Sequence, residues 1–85
     1  MPLFVIERRY AEQLEVSPET VRAVEAINAD EDVRWLFSFL TADKLRSYCL
    51  YEASSPDAIL AAAKRAGLPA DVITEVDKID PRAYA

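Results

Sequence analysis

Val33-Arg34-Trp35-Leu36-Phe37-Ser38-Phe39-Leu40 is the stretch that decides the fold. Its aromatics fall at every second position, the period of a β-strand and not of a helix. The alternation predicts Trp35, Phe37 and Phe39 on one face, with Arg34, Leu36, Ser38 and Leu40 on the other. Large aromatic side chains also suit a pleated, half-buried surface. The short polar link Thr41-Ala42-Asp43-Lys44 has hairpin length. The next run, Leu45 to Ala53, alternates again. Arg46, Tyr48, Leu50 and Glu52 share one face; Ser47, Cys49, Tyr51 and Ala53 share the other. The middle of the chain is therefore expected to be two strands joined by a turn.

A helix is predicted on each side of this unit. Ser17-Pro18-Glu19-Thr20 and Ser55-Pro56-Asp57 both offer a serine cap, a proline at the first helical position and an acid in the first turn. In the first helix Thr20, Ala23, Val24 and Ile27 form a stripe at helical spacing, with Val21 beside it. The acids Asp30-Glu31-Asp32 oppose the negative end of a helix dipole, so this helix is expected to end near Asn28. In the second, Ile59, Ala62, Ala63 and Ala66 form a narrow stripe opposite Asp57, Lys64 and Arg65. Gly67, the only glycine in the chain, follows as a C′ residue, and Pro69 forbids continuation.

Strands are also predicted at the two ends. Leu3 to Arg8 carries Leu3, Val5 and Glu7 on one face and Phe4, Ile6 and Arg8 on the other. Both faces are apolar until the end, as in a central strand. Asp71 to Ile79 is the last strand, and Pro81 ends it. The order is strand, helix, strand, strand, helix, strand. This is the split β-α-β arrangement of a ferredoxin-like α+β fold, an antiparallel four-stranded sheet with both helices on one face. Residues 1–81 are expected to make one domain, with 82–85 a tail. The other sheet face would then be bare. Large apolar groups on a bare face form a patch that pairing with a second copy would cover, so a homodimer is expected.

Composition narrows the function. The chain has 85 residues, a net charge of −5 and no histidine. A chain of this size buries roughly 60–65% of its unfolded surface, which makes a thin core. The acidic balance argues against a nucleic-acid partner, which needs a basic surface. Arg8-Arg9 and Lys64-Arg65 are isolated basic pairs and not a stripe. No run is apolar and long enough for a membrane span. The first residues, with Glu7-Arg8-Arg9 after a short apolar stretch, are ordered wrongly for a signal peptide. Cys49 is the one cysteine, so an internal disulfide is impossible, and a reducing cytoplasm is expected, with Cys49 a buried, inert thiol. A phosphate-cradling glycine loop and any histidine-based nucleophile pair are excluded. Asp30-Glu31-Asp32 lacks the alternating ligands and glycine of a calcium loop and reads as a solvated acidic turn.

Several segments, taken in order, resemble a known family. They are Phe4-Val5-Ile6-Glu7-Arg8, Trp35-Leu36-Phe37-Ser38-Phe39, Tyr48-Cys49-Leu50-Tyr51-Glu52-Ala53, Ala66-Gly67-Leu68-Pro69-Ala70-Asp71 and Ile73-Thr74-Glu75-Val76. Together they look like the nickel-responsive-protein-like family of small bacterial ferredoxin-like domains. The resemblance implies a dimer of the α+β barrel type, and nickel-binding relatives with histidines among the ligands. Phe37 stands where the family's strand histidine falls, and Ala61-Ala62-Ala63 covers the position of the helix histidine. The connection before Trp35 is shorter than the family's. The fold is therefore expected to transfer and the metal site not, so no metal and no cofactor are expected.

These readings give an expected site. Trp35, Phe37 and Phe39 would wall an apolar cavity, and Tyr48, Glu52 and Glu7 would supply its few polar contacts. The ligand would be small and apolar or aromatic. Glu52, on the same face as Tyr48 and Leu50, is the one candidate acid or base, in a cofactor-free enzyme of the dimeric-barrel kind. The plainer reading of Glu52 is an ion pair with Arg8 or Arg46. A third reading is a structural module that docks another protein on the bare sheet face.

Overall fold

The computed structural model describes residues 1–84, and Ala85, at the end of the expected tail, lies outside them. Strand β1 (Leu3–Arg9) leads to helix α1 (Pro18–Asp30). The hairpin strands β2 (Arg34–Leu40) and β3 (Arg46–Glu52) follow, then helix α2 (Pro56–Ala66) and strand β4 (Val72–Val76). The sheet has four strands in the order β2-β3-β1-β4, every adjacent pair antiparallel. This is the expected α+β topology.

Phe4 and Ile6 of β1, with Cys49 and Tyr51 of β3, face the helices. They form the core with Val33, Ala53, Ile59 and Ala62. The alanines of α2 carry little bulk, and Ile59, Ala62 and Ala63 are its buried residues. Its end follows the glycine logic. Gly67 adopts the left-handed conformation at φ 68°, and its N–H donates back to the Ala63 and Lys64 carbonyls. Without a Cβ that conformation is unstrained.

The first helix departs from expectation at both its face and its end. Val21, Val24, Ile27 and Asn28 turn inward, while Thr20 and Ala23 are exposed. The helix continues through Asp30. The acids that oppose its dipole are met from outside, because Arg65 of α2 reaches Glu31 at 2.8 Å and Asp30 at 3.2 Å. Termination comes at Asp32, which takes φ 57°, and Val33 N–H returns to the Asn28 carbonyl at 2.9 Å. That is a glycine-type helix end made with aspartate, a residue whose short polar side chain tolerates the left-handed region.

The connections are also ordered. Lys44, at φ 62°, turns the β2-β3 hairpin, and Thr41 Oγ1 donates to Asp43 at 2.6 Å across its tip. The segment after β1 hangs from this tip. Tyr10 N–H donates to the Leu45 carbonyl at 2.8 Å and Leu14 N–H to the Lys44 carbonyl at 2.9 Å. Strand β4 stops at Val76, short of the expected Ile79. Where a tail is expected, Pro81–Tyr84 forms a 3-10 turn, with Asp80 paired to Arg82 at 2.9 Å.

Candidate functional site

The register of β2 decides what the candidate residues can build. Trp35 pairs with Tyr51, but the next pairing is Phe37 with Leu50, so an extra residue enters the strand at Leu36. This β-bulge reverses the alternation. Trp35 therefore faces the helices, while Phe37 and Phe39 face the opposite side. The expectation that the three aromatics share one face is corrected by this bulge.

The side away from the helices is an uncovered sheet face. Across it run the rows Phe37-Leu50-Val5-Thr74 and Phe39-Tyr48-Glu7-Val72. Phe37 is 49% exposed and Phe39 67%, and their rings meet edge to face at 5.4 Å. Charges lie toward the margins, and two ion pairs run along the sheet. Glu52 meets Arg34 at 3.3 Å and Glu7 meets Arg9 at 2.8 Å. The partner of Glu52 is thus Arg34, opposite it in the ladder, and neither Arg8 nor Arg46. Glu7, Phe37, Phe39, Tyr48 and Glu52 are brought to this one face; Trp35 is not among them.

The side toward the helices holds a cleft of about 280 Å³. Val21 and Val24 of α1 roof it, and Trp35, Leu40, Tyr51 and Leu68 supply much of its apolar wall. Its outer rim is the segment hung from the hairpin, at Leu14, Glu15 and Val16. The Trp35 ring lies nearly parallel to that of Tyr51, with centroids 6.4 Å apart and planes at 13°. The indole N–H donates to Ser38 Oγ at 2.8 Å, which holds the ring in place.

Few polar groups enter this cleft; apart from Thr20 of α1, they come from the sheet or the segment after β1. Tyr10 and Ser47 share a hydroxyl hydrogen bond of 2.6 Å. Ser47 lies 3.6 Å from Cys49 Sγ, a buried thiol. Burial holds both Tyr10 and Tyr51 above the usual phenol range, against the opposing effects of the Ser47 hydrogen bond on the first and the Arg8 charge on the second. Both stay neutral donors near pH 7. Arg8, on the same strand face as Phe4 and Ile6, also lines the cleft and is only 2% exposed. Sequence reasoning put Arg8 on the strand face of Phe4 and Ile6 but neither buried it nor gave it to the site, and it missed Tyr10, Ser38 and Tyr51 as lining residues. The signal for Arg8 was its even position behind Phe4 and Ile6. The cleft itself has no local signal, because it joins α1, the hairpin and the segment between them.

Comparison with known proteins agrees with this architecture. The family model described as "Nickel responsive protein SCO4226-like" matches residues 4–76. The crystal structure of SCO4226 from Streptomyces coelicolor A3(2) superposes with a TM-score of 0.78 at 26% identity, covering 92% of this chain and 99% of that one. No curated protein matches the chain. Among the described residues no helix is long and apolar enough to cross a membrane.

Proposed function

The chain belongs to the SCO4226-like nickel responsive protein family, and on that footing we propose that it is a small-ligand-binding domain that works as a homodimer in the cytoplasm. The observation that carries the reading is the cleft beneath α1, about 280 Å³ in volume. Its walls are mainly apolar and its polar groups few and held by hydrogen bonds, which is the make-up of small-molecule sites. Trp35 belongs to this site. Phe37, Phe39 and Tyr48, with Glu7 and Glu52 beside them, belong to the pairing surface. An apolar centre edged by charges is the anatomy of a protein interface. A second copy covers the exposed aromatic pair at no expense to the cleft, which opens on the other side of the sheet.

Nickel does not fit the residues present. The chain contains no histidine. Among the described residues no three cysteine, aspartate or glutamate side chains are grouped to hold an ion. Nickel prefers nitrogen ligands, and here Phe37 and the alanines of α2 replace the expected imidazoles. The reading is therefore an apolar-ligand binder on a fold whose relatives are named for the metal.

Trp35 is the only tryptophan, so its emission reports on the cleft directly. A panel of small one-ring acids, amides and alcohols is expected to shift that emission saturably. Val24→Phe fills the cleft from the α1 side and is expected to weaken any such binding at least ten-fold without unfolding the chain. A panel with no saturable response, or unchanged affinity in Val24→Phe, contradicts the reading.

A further inference from the structure

The guanidinium of Arg8 is the unusual group in this cleft. It is buried, and among the described residues no carboxylate oxygen lies within 4.0 Å of it. Glu15 lines the same cleft at its outer rim without coming within 4.0 Å of the guanidinium, and two acids, on β1 and beside it, are engaged elsewhere. Glu7 is paired with Arg9 on the opposite sheet face. Asp71 accepts the Arg9 backbone N–H at 2.7 Å. Arg8 itself donates to the Pro69 carbonyl and, at 3.5 Å, to Tyr51 Oη. Its charge also sits over the Tyr51 ring, 5.8 Å from the centroid. These are neutral partners. A carbonyl, a phenol and a ring face orient a guanidinium but leave its charge uncompensated in a setting where an unpaired charge is costly.

We propose that the cleft takes a small amphiphilic monocarboxylate, its acid group on Arg8 and its apolar body between Trp35 and the Val21-Val24 face of α1. This rests on the reading of the cleft as a ligand site and names its ligand class. Arginine has five donors in a planar fork that matches a carboxylate, and the contacts to Pro69 and Tyr51 occupy only part of it. The neutral phenols of Tyr10 and Tyr51 add donors beside the same end of the cleft. Apart from Thr20, Ser38, Ser47 and the rim residue Glu15, the remaining wall is apolar, which suits a one-ring or short aliphatic body and disfavours inorganic phosphate. Charge and shape thus divide the cleft into an acid end at β1 and an apolar end under α1.

The test uses the wild-type chain and matched probes. Phenylacetate and phenylacetamide differ in charge and hardly in shape, and both are titrated against Trp35 emission. The acid is expected to bind at least ten-fold more tightly than the amide. That preference is expected to vanish in Arg8→Met and to survive in part in Arg8→Lys, and inorganic phosphate is expected not to displace the acid. Equal binding of acid and amide overturns the assignment to Arg8 while leaving the cleft as a ligand site. Absence of binding by both overturns the cleft reading as well. Displacement by phosphate at equal concentration contradicts the amphiphilic ligand. The acid-amide comparison decides the matter in the wild type even where Arg8→Met fails to fold.

Discussion

At the scale of single residues the molecule is organised by what is buried with what. Arg8 is buried because it follows Phe4 and Ile6 on the inner face of β1, and a strand cannot turn one side chain outward without a bulge. Tyr10 and Tyr51 lie near it as phenols that burial keeps protonated above their usual value of 10.0. The unfolded chain releases these protons near that value, and the folded chain at higher pH. Between the two, the folded state binds more protons than the unfolded state. The contribution to stability is therefore fully present below about pH 10 and is lost as pH rises through the folded values. Urea unfolding at about pH 8 and about pH 11 measures the loss. The double variant Tyr10→Phe/Tyr51→Phe is expected to lose less stability across that interval than the wild type, and an equal loss would assign the alkaline effect to other groups.

At the scale of elements, sequence reasoning was strongest where local chemistry decides. Both Ser-Pro helix starts, the alternation in β1 and β3 and the stop at Gly67 were legible, because each depends on residues within one turn or one ladder. Gly67 provides the sharpest check. An added Cβ there meets nothing within 4 Å, so Gly67→Ala acts through backbone strain alone. It is expected to lower unfolding stability by about 1 kcal/mol, read by chemical denaturation. What escaped the sequence needed a partner distant in the chain. The end of α1 passes Asn28 because Arg65, on another helix, neutralises the acids that follow. The bulge at Leu36 is invisible in a pattern of aromatics at 35, 37 and 39, since an uninterrupted strand has the same spacing. That single inserted residue divides the expected site between two faces. It gives Trp35 to the cleft and leaves Phe37 and Phe39 exposed.

At the scale of the whole molecule the sheet separates two surfaces. Its inner face and α1 enclose the cleft, and its outer face presents the aromatic pair Phe37 and Phe39 with two ion pairs beside it. The fold was legible as a sequence of elements and the outer face as a consequence of their handedness, while the cleft emerged only from the assembled structure. The function proposed for these two surfaces is that of a paired ligand-binding domain that does not use nickel. Native mass spectrometry of the purified chain, with phenylacetate and then with nickel added, decides between this proposal and its alternatives. A wild-type dimer that takes up the acid and forms no stoichiometric nickel adduct is expected, and a monomer for Phe39→Glu, which puts a charge into the aromatic patch. A wild-type monomer, or a dimer that binds nickel stoichiometrically and ignores the acid, would contradict it.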